Sequence, residues 1–230
     1  MPRDGDDGWP RDSLLGLLAE TQRATLLAAG TERDFVPGAT LLCQGDRTSH
    51  VLVVVRGVAK VTSAAENGRE TLLALRGPGE LIGELAALDA GPRAATVTAS
   101  GAMATRVVDH GSFTRLLAAD PVLALAVTRM VGRRLRAATS RRVELVGLSA
   151  PVRLARVLLE LAERYGAVTT QGVQLDLLLS QQELANLIGA AEVTVQKILR
   201  DLRTSGLVAT SRRRVTVTDT AGLRVLAEVW

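Results

Sequence analysis

Gly79-Glu80-Leu81-Ile82-Gly83-Glu84-Leu85-Ala86-Ala87-Leu88-Asp89-Ala90-Gly91-Pro92-Arg93-Ala94-Ala95-Thr96-Val97 gathers a Gly-rich turn, a carboxylate, one turn of apolar residues and a Pro-Arg into nineteen residues. A loop that only joins two strands needs none of these in combination. Gly83 lets backbone N–H groups approach a bound group closely, and Glu84 to Leu88 can form a short helix whose free N–H groups favour an anion. Arg93 follows nine positions after Glu84. An arginine is a fixed-charge, bidentate phosphate donor, and a carboxylate accepts from a sugar hydroxyl. Together they describe a pocket for a sugar phosphate.

Gly-Glu-Leu-Ala, a short spacer and Pro-Arg-Ala-Ala-Thr-Val resembles the phosphate-binding cassette of cyclic-nucleotide-binding domains. The resemblance implies that Glu84 takes the ribose 2′-hydroxyl and Arg93 the cyclic phosphate. It implies that amides around Gly83, Leu85, Ala86, Ala94 and Ala95 complete the cradle. Ala94 beside Arg93 points to cyclic AMP, because cyclic-GMP binders of the wider superfamily often carry a hydroxyl there.

The composition bounds the alternatives. The 230 residues suit one large or two small domains, and a chain 47% hydrophobic but only 2% aromatic builds an aliphatic core. No stretch approaches the roughly eighteen uninterrupted apolar residues of a membrane span, and the acidic start, Met1 to Asp12, does not read as a signal peptide. A cytoplasmic location without membrane contact is the expectation. Cys43 is the only cysteine, and His50 and His110 stand sixty positions apart, so no metal cofactor is expected. Charge is uneven: residues 1–128 hold 12 Lys and Arg against 15 Asp and Glu, whereas 129–230 hold 16 against 9. The basic second part is where nucleic acid is expected.

Along the chain, residues 1–12, rich in Asp, Gly, Pro and Arg, read as mobile, and a flexible tail is bounded at 1–20. Leu14, Leu15, Leu17 and Leu18, then Leu26 and Leu27, fit short amphipathic helices, and from Thr31 the pattern changes to strands. Phe35-Val36, Leu41-Leu42, Val51 to Val55, Gly57 to Val61, Glu70 to Leu75, Ala95 to Ala99 and Thr105 to Asp109 are short runs broken by glycine and other turn residues. This regular spacing predicts a β-roll or jelly-roll barrel. The same barrel class hosts metal-dependent cupin enzymes, which need clustered histidines with a glutamate. Two distant histidines do not supply that site, and no enzymatic activity is expected.

Ser112 to about Gly147 reads as helix, with a fresh start at Asp120-Pro121. Val127, Val131, Leu135, Ala138 and Leu145 follow a near-heptad spacing that predicts a symmetric dimer seam. Ser149-Ala150-Pro151 marks a boundary, and Val152 to Tyr165 is amphipathic up to Gly166. Ser180-Gln181-Gln182-Glu183 is a capping box opening a helix to Ile188. Gly189 makes the turn, and Glu192 to Ser205 forms the next helix. Val208 and Val215 to Val217 then flank Ser211-Arg212-Arg213-Arg214, a hairpin with a basic tip.

This last segment resembles a winged helix-turn-helix, and residues 30–220 together resemble the cyclic-AMP receptor protein (Crp/Fnr) superfamily of bacterial transcription regulators. The implied architecture is α+β. An effector β-roll occupies 21–119, a dimerisation helix 120–148 and a DNA-binding domain 149–230. The implied partners are a second copy, a palindromic double-stranded DNA operator and RNA polymerase. An ungapped match on Arg133-Arg134-Leu135 puts Ala138 and Thr139 on the family's two base-contacting polar positions, which leaves Thr139 as the adenine contact. In the recognition helix, Glu192, Val193 and Lys197 replace the family's usual Arg, Glu and Arg. A different operator is therefore expected, read by Glu192, Val193, Gln196 and Lys197, with Thr194, Arg200, Arg212, Arg213 and Arg214 on phosphates. Two other readings use the same residues: a regulator of this fold that needs no cyclic nucleotide, and a nucleotide-binding module that no longer binds DNA.

Overall fold

Val51-Leu52-Val53-Val54 has no polar residue to alternate with, so a strand built from it must be covered on both faces. All four side chains are at most 1% exposed. Leu52 and Val54 belong to a core with Phe35, Ile82, Val97 and Met103. Val51 and Val53 belong to a second core with Leu14, Leu26, Phe113 and Leu123. This one strand therefore joins the inside of a roll to the helices that cover its outside.

The computed structural model of the chain describes residues 8–64, 68, 70–211 and 214–228. It divides into two compact units, Met1–Arg136 and Ala137–Trp230. The first begins with helices α1 (Leu14–Leu17) and α2 (Glu20–Ala28). Eight strands follow: β1 (Thr31–Phe35), β2 (Thr40–Leu42), β3 (Val51–Arg56), β4 (Ala59–Ala64), β5 (Glu70–Arg76), β6 (Leu81–Ile82), β7 (Thr96–Ala99) and β8 (Met103–Val108). They pair antiparallel in two sheets, β1-β8-β3-β6 and β2-β7-β4-β5. Helix α3 (Glu84–Asp89) interrupts the strands between β6 and β7, inside the quoted stretch. The expected roll is present.

The expected tail is shorter than 20 residues. Leu14 and Leu15 are fully buried, Ser13 caps α1, and the amide of Leu15 donates to the carbonyl of Gly79 at 3.0 Å. Leucines this dense bury rather than float, and here they lean on the turn just before the cassette.

Helix α4 (His110–Ala119) is capped by Asp109. Helix α5 (Pro121–Gly147) starts where Asp120 accepts from the amide of Val122 at 2.9 Å. Leu123, Ala126, Val127 and Met130, at i, i+3, i+4 and i+7, bury one stripe of α5 against the roll. The seam expected through Val127 is thereby corrected, since that residue faces its own domain's core. Leu145 lies beside Gly189, where an added Cβ would be 2.3 Å from its Cδ2, and is still 47% exposed. The large apolar residues of α5 left outward are Val122, Leu125, Leu135, Val143, Leu145 and Val146, exposed by 57, 47, 68, 67, 47 and 91%.

The second unit continues with α6 (Ala150–Tyr165), the strands β9 (Gly166–Thr169) and β10 (Gly172–Leu175), α7 (Gln181–Ile188) and α8 (Glu192–Thr204). It ends with β11 (Val208–Ser211), β12 (Arg214–Val217) and α9 (Thr220–Glu228). One sheet, β11-β12-β10-β9, supports the helices. Gly166 both ends α6 and opens β9, a strand the sequence pattern did not reveal, and α9 was not anticipated either. The capping box at Ser180 is formed in both directions, at 3.1 Å and 2.7 Å.

Candidate functional site

Two places concentrate the chemistry: the cassette of the roll and the outer face of α8. In the cassette, Gly83 sits at φ +84°, a left-handed conformation that glycine takes without strain. A Cβ at this position would lie 2.6 Å from Nη1 of Arg93. Glycine is thus required twice, by the backbone and by the arginine beside it.

Arg93 is only 3% exposed. Nε donates to the Thr48 hydroxyl at 3.0 Å, Nη1 to the Gly83 carbonyl at 2.8 Å and Nη2 to the His50 carbonyl at 2.6 Å. The Arg93 backbone is pinned as well, its amide donating to the Asp46 carbonyl and its carbonyl accepting from the amide of Gly45. Nη2 also lies 3.4 Å from Nδ1 of His50, so these partners orient a guanidinium of five N–H donors and still leave donor capacity on Nη1 for an anion. Burial lowers the pKa of Arg93, and the charges of Asp46 and Glu84 act the other way. This is a cation kept in the interior by its surroundings, as a phosphate site requires.

Glu84 opens α3 and is 6% exposed. Its Oε1 accepts from Nη1 of Arg134, on α5, at 2.6 Å. Nη2 of the same arginine donates to the Leu81 carbonyl at 2.7 Å. The carboxylate expected to hold a sugar hydroxyl is therefore also the point where the cassette grips the long helix. Of the remaining expected cradle residues, Ala86 is buried, Leu85 and Ala94 are exposed and Ala95 is half-buried. Thr139 is on α5 beyond Arg136, in the second unit, and its role rests on the resemblance alone.

Sequence reasoning missed Thr48, His50 and the cassette role of Arg134. The first two lie more than forty residues before Arg93, and no local pattern announces them. Arg134 stood in view within Arg133-Arg134-Leu135, but only the folded chain joins it to Glu84.

On α8, Val195, Ile198, Leu199 and Leu202 are buried. Val193, Gln196, Lys197 and Arg200 consequently form one exposed strip at i, i+3, i+4 and i+7, with Glu192 and Thr194 half-exposed beside it. Arg153 steadies the turn between α7 and α8, donating from Nε to the Ile188 carbonyl at 2.8 Å and from Nη1 to the Leu148 carbonyl. Arg214 begins β12, whereas Arg212 and Arg213 lie outside the described residues. Among the described residues no group of three or more His, Cys, Asp or Glu side chains could hold a metal ion, and no helix is long and apolar enough to cross a membrane.

Comparison with known proteins fits this geometry. The cyclic nucleotide-binding domain family matches residues 32–120, and the Crp-like helix-turn-helix domain family matches 152–226. A CRP-like cAMP-activated global transcriptional regulator of Mycobacterium tuberculosis is 30% identical over 190 residues, 83% of this chain and 85% of that protein. The cAMP-activated global transcriptional regulator CRP of Salmonella typhimurium is 28% identical, over 79% of this chain and 87% of that protein. Among solved structures, FixK2 from Bradyrhizobium japonicum shares the fold with a TM-score of 0.75 at 22% identity, over 87% of this chain and 98% of that one. A CRP-family transcriptional regulator of Thermus thermophilus has a TM-score of 0.72 at 26% identity, over 86% and 97%.

His50 provides a pH test of the cradle. Its pKa lies below the usual 6.5, first through burial and then through the charges of Arg93 and Arg33. The folded protein thus keeps His50 neutral at pH values where the unfolded chain binds a proton. The stability so contributed is complete above about pH 6.5 and is lost as pH falls through the lower folded value. Urea midpoints taken between pH 7.5 and 5 should fall on the acid side for the wild type, and His50→Gln should reduce that fall. An unchanged slope would remove His50 from the account.

Proposed function

Because the chain belongs to the Crp/Fnr superfamily of bacterial transcription regulators, we propose that it is a cytoplasmic homodimer whose affinity for a palindromic DNA operator is set by cyclic AMP. The observation that carries this reading is the pair of contacts in one cassette. Arg93 is buried with donors to spare, and Glu84 is bonded to Arg134 of α5 at 2.6 Å. A cyclic phosphate on Arg93 and a ribose hydroxyl on Glu84 would act on the two residues that tie the cassette together. Glu84 passes that action to α5 through Arg134.

A ligand shifts an equilibrium only by its differential affinity for the two states. Here the two states are arrangements of α5, which continues past Arg136 into the second unit. In a symmetric dimer such a change alters the spacing of two recognition helices, which must be about 34 Å apart to enter successive major grooves. RNA polymerase would then be the protein partner at the promoter.

The outward residues of α5 support the dimer. Leu125, Thr128, Gly132, Leu135, Thr139, Arg142 and Val146 follow a strict three-four spacing, the repeat of a helix-pair seam. Thr139, Arg142, Val143, Val146 and Gly147 are exposed together toward the end of this helix. A polar residue in such a seam specifies register at a cost in stability, and Thr139 and Arg142 fit that use.

For the operator, the exposed strip of α8 supports readout by Val193, Gln196 and Lys197. Gln pairs with adenine, an apolar side chain with the thymine methyl and Lys with guanine. Arg200 and Arg214 are suited to phosphates. The second reading, DNA binding independent of cyclic nucleotide, is favoured by one observation: Ala138 stands at the family's first polar base-contacting position.

Calorimetric titration with cyclic AMP tests the first reading. A charge-assisted hydrogen bond contributes about 1.5–3 kcal/mol, so Arg93→Ala should weaken binding at least about tenfold. Wild-type protein that binds no cyclic AMP would leave the second reading. For the dimer, Leu135→Glu with Val146→Glu should yield a monomer in sedimentation equilibrium at concentrations where the wild type is dimeric. A doubly substituted protein that stays dimeric would rule out this seam.

A further inference from the structure

The cassette holds a second buried carboxylate, Glu80, four residues before Glu84 and 8% exposed. Its Oε2 accepts from the amide of Gly77 at 2.7 Å, which closes the turn ahead of β6. Its Oε1 lies 3.6 Å from Nη2 of Arg134 and 3.8 Å from Nη1 of Arg76. The four side chains alternate in sign, Arg76, Glu80, Arg134 and Glu84, and each charged group in the middle has an opposite charge on both sides.

Closing a turn does not require a charge. An uncharged acceptor would satisfy the Gly77 amide, yet a buried carboxylate stands there, and it faces the arginine that holds Glu84. Arg134 is thus restrained at both ends of its guanidinium, by Glu84 on Nη1 and by Glu80 with the Leu81 carbonyl on Nη2. A planar group fixed at two ends cannot swing, so the carboxylate bonded to it is fixed as well. A carboxylate offers about four acceptor sites on two oxygens, so Glu84 can accept a ligand hydroxyl while its Oε1 stays on Arg134.

From this arrangement we propose that Glu80 is a positioning residue for ribose recognition: it holds Arg134, which orients Glu84 toward the 2′-hydroxyl of the bound nucleotide. The proposal rests on the cyclic-nucleotide reading above and assigns a role to a residue outside the phosphate cradle.

The test uses the full chain and two probes, cyclic AMP and 2′-deoxy cyclic AMP, titrated into wild type and Glu80→Gln. Glutamine keeps an acceptor for the Gly77 amide and removes the charge facing Arg134. Wild type should prefer the ribose ligand. Glu80→Gln should weaken cyclic AMP about fivefold, the order expected for one partly buried ion pair, and leave the 2′-deoxy ligand within about twofold. In an Arg134→Gln background the Glu80 substitution should have no further effect. Glu80→Asp, which keeps the charge on a shorter arm, should fall between wild type and Glu80→Gln. Equal weakening of both ligands would assign Glu80 to the turn alone and overturn the proposal. So would unchanged binding, or a wild type indifferent to the 2′-hydroxyl. A wild type that binds neither ligand would overturn the cyclic-nucleotide reading and this proposal with it.

Discussion

A guanidinium taken out of water must be given acceptors, and the fold of the first unit is arranged to give them to Arg93. Thr48 and His50 approach from the loop before β3, Gly83 from the turn before α3, and Asp46 and Gly45 hold the arginine's own backbone. Two segments far apart in sequence, the loop from Gly45 to His50 and the cassette itself, meet at one side chain. That meeting explains why residue 83 is glycine, why the loop from Asp46 to His50 folds back, and why α3 begins where it does. An anion at this place joins a set of donors already oriented, and so little further ordering is needed on binding.

Beside Arg93 in the same cassette stands Glu84, and Glu84 in turn is bonded to Arg134. One stripe of α5 is buried in the roll, through Leu123, Ala126, Val127 and Met130, and one arginine of the next turn reaches the cassette. The helix that bears the outward apolar residues is therefore fastened to the cassette by a charge pair. Packing fixes the first half of α5, and ionic contact fixes the residues just after it. An ionic contact to a buried carboxylate of the cassette is the kind of link that a molecule bound there would bias, whereas a packed core changes little when a small molecule binds nearby.

Much of this was legible in the sequence, and the exceptions have physical causes. The pocket residues Gly83, Glu84 and Arg93 lie within eleven positions and carry their chemistry in their types, and the capping box at Ser180 is equally local. The partners of Arg93 were not legible, because Thr48 and His50 join it only through sheet pairing across the roll. Nor was Arg134, whose partner is fifty residues away. The dimer seam was misread at Val127 because α5 carries two apolar stripes, and spacing alone does not say which one meets the protein's own core. Strand β9 was hidden because Gly166, an ordinary helix stop, is also its first residue. At the start of the chain the leucine spacing did indicate the helix at Leu14–Leu17, and only a tail boundary drawn at residue 20 ran past it.

On the proposed reading, occupancy of the cassette governs the grip on DNA. A direct test is the affinity of the protein for fragments selected from a random DNA pool, measured by fluorescence anisotropy with and without cyclic AMP at one fixed salt concentration. The account predicts affinities that differ at least about tenfold between the two conditions, the range of ordinary allosteric coupling. It predicts that the difference disappears in Arg93→Ala. Equal affinity with and without the nucleotide, in a protein that does bind the DNA, would contradict it.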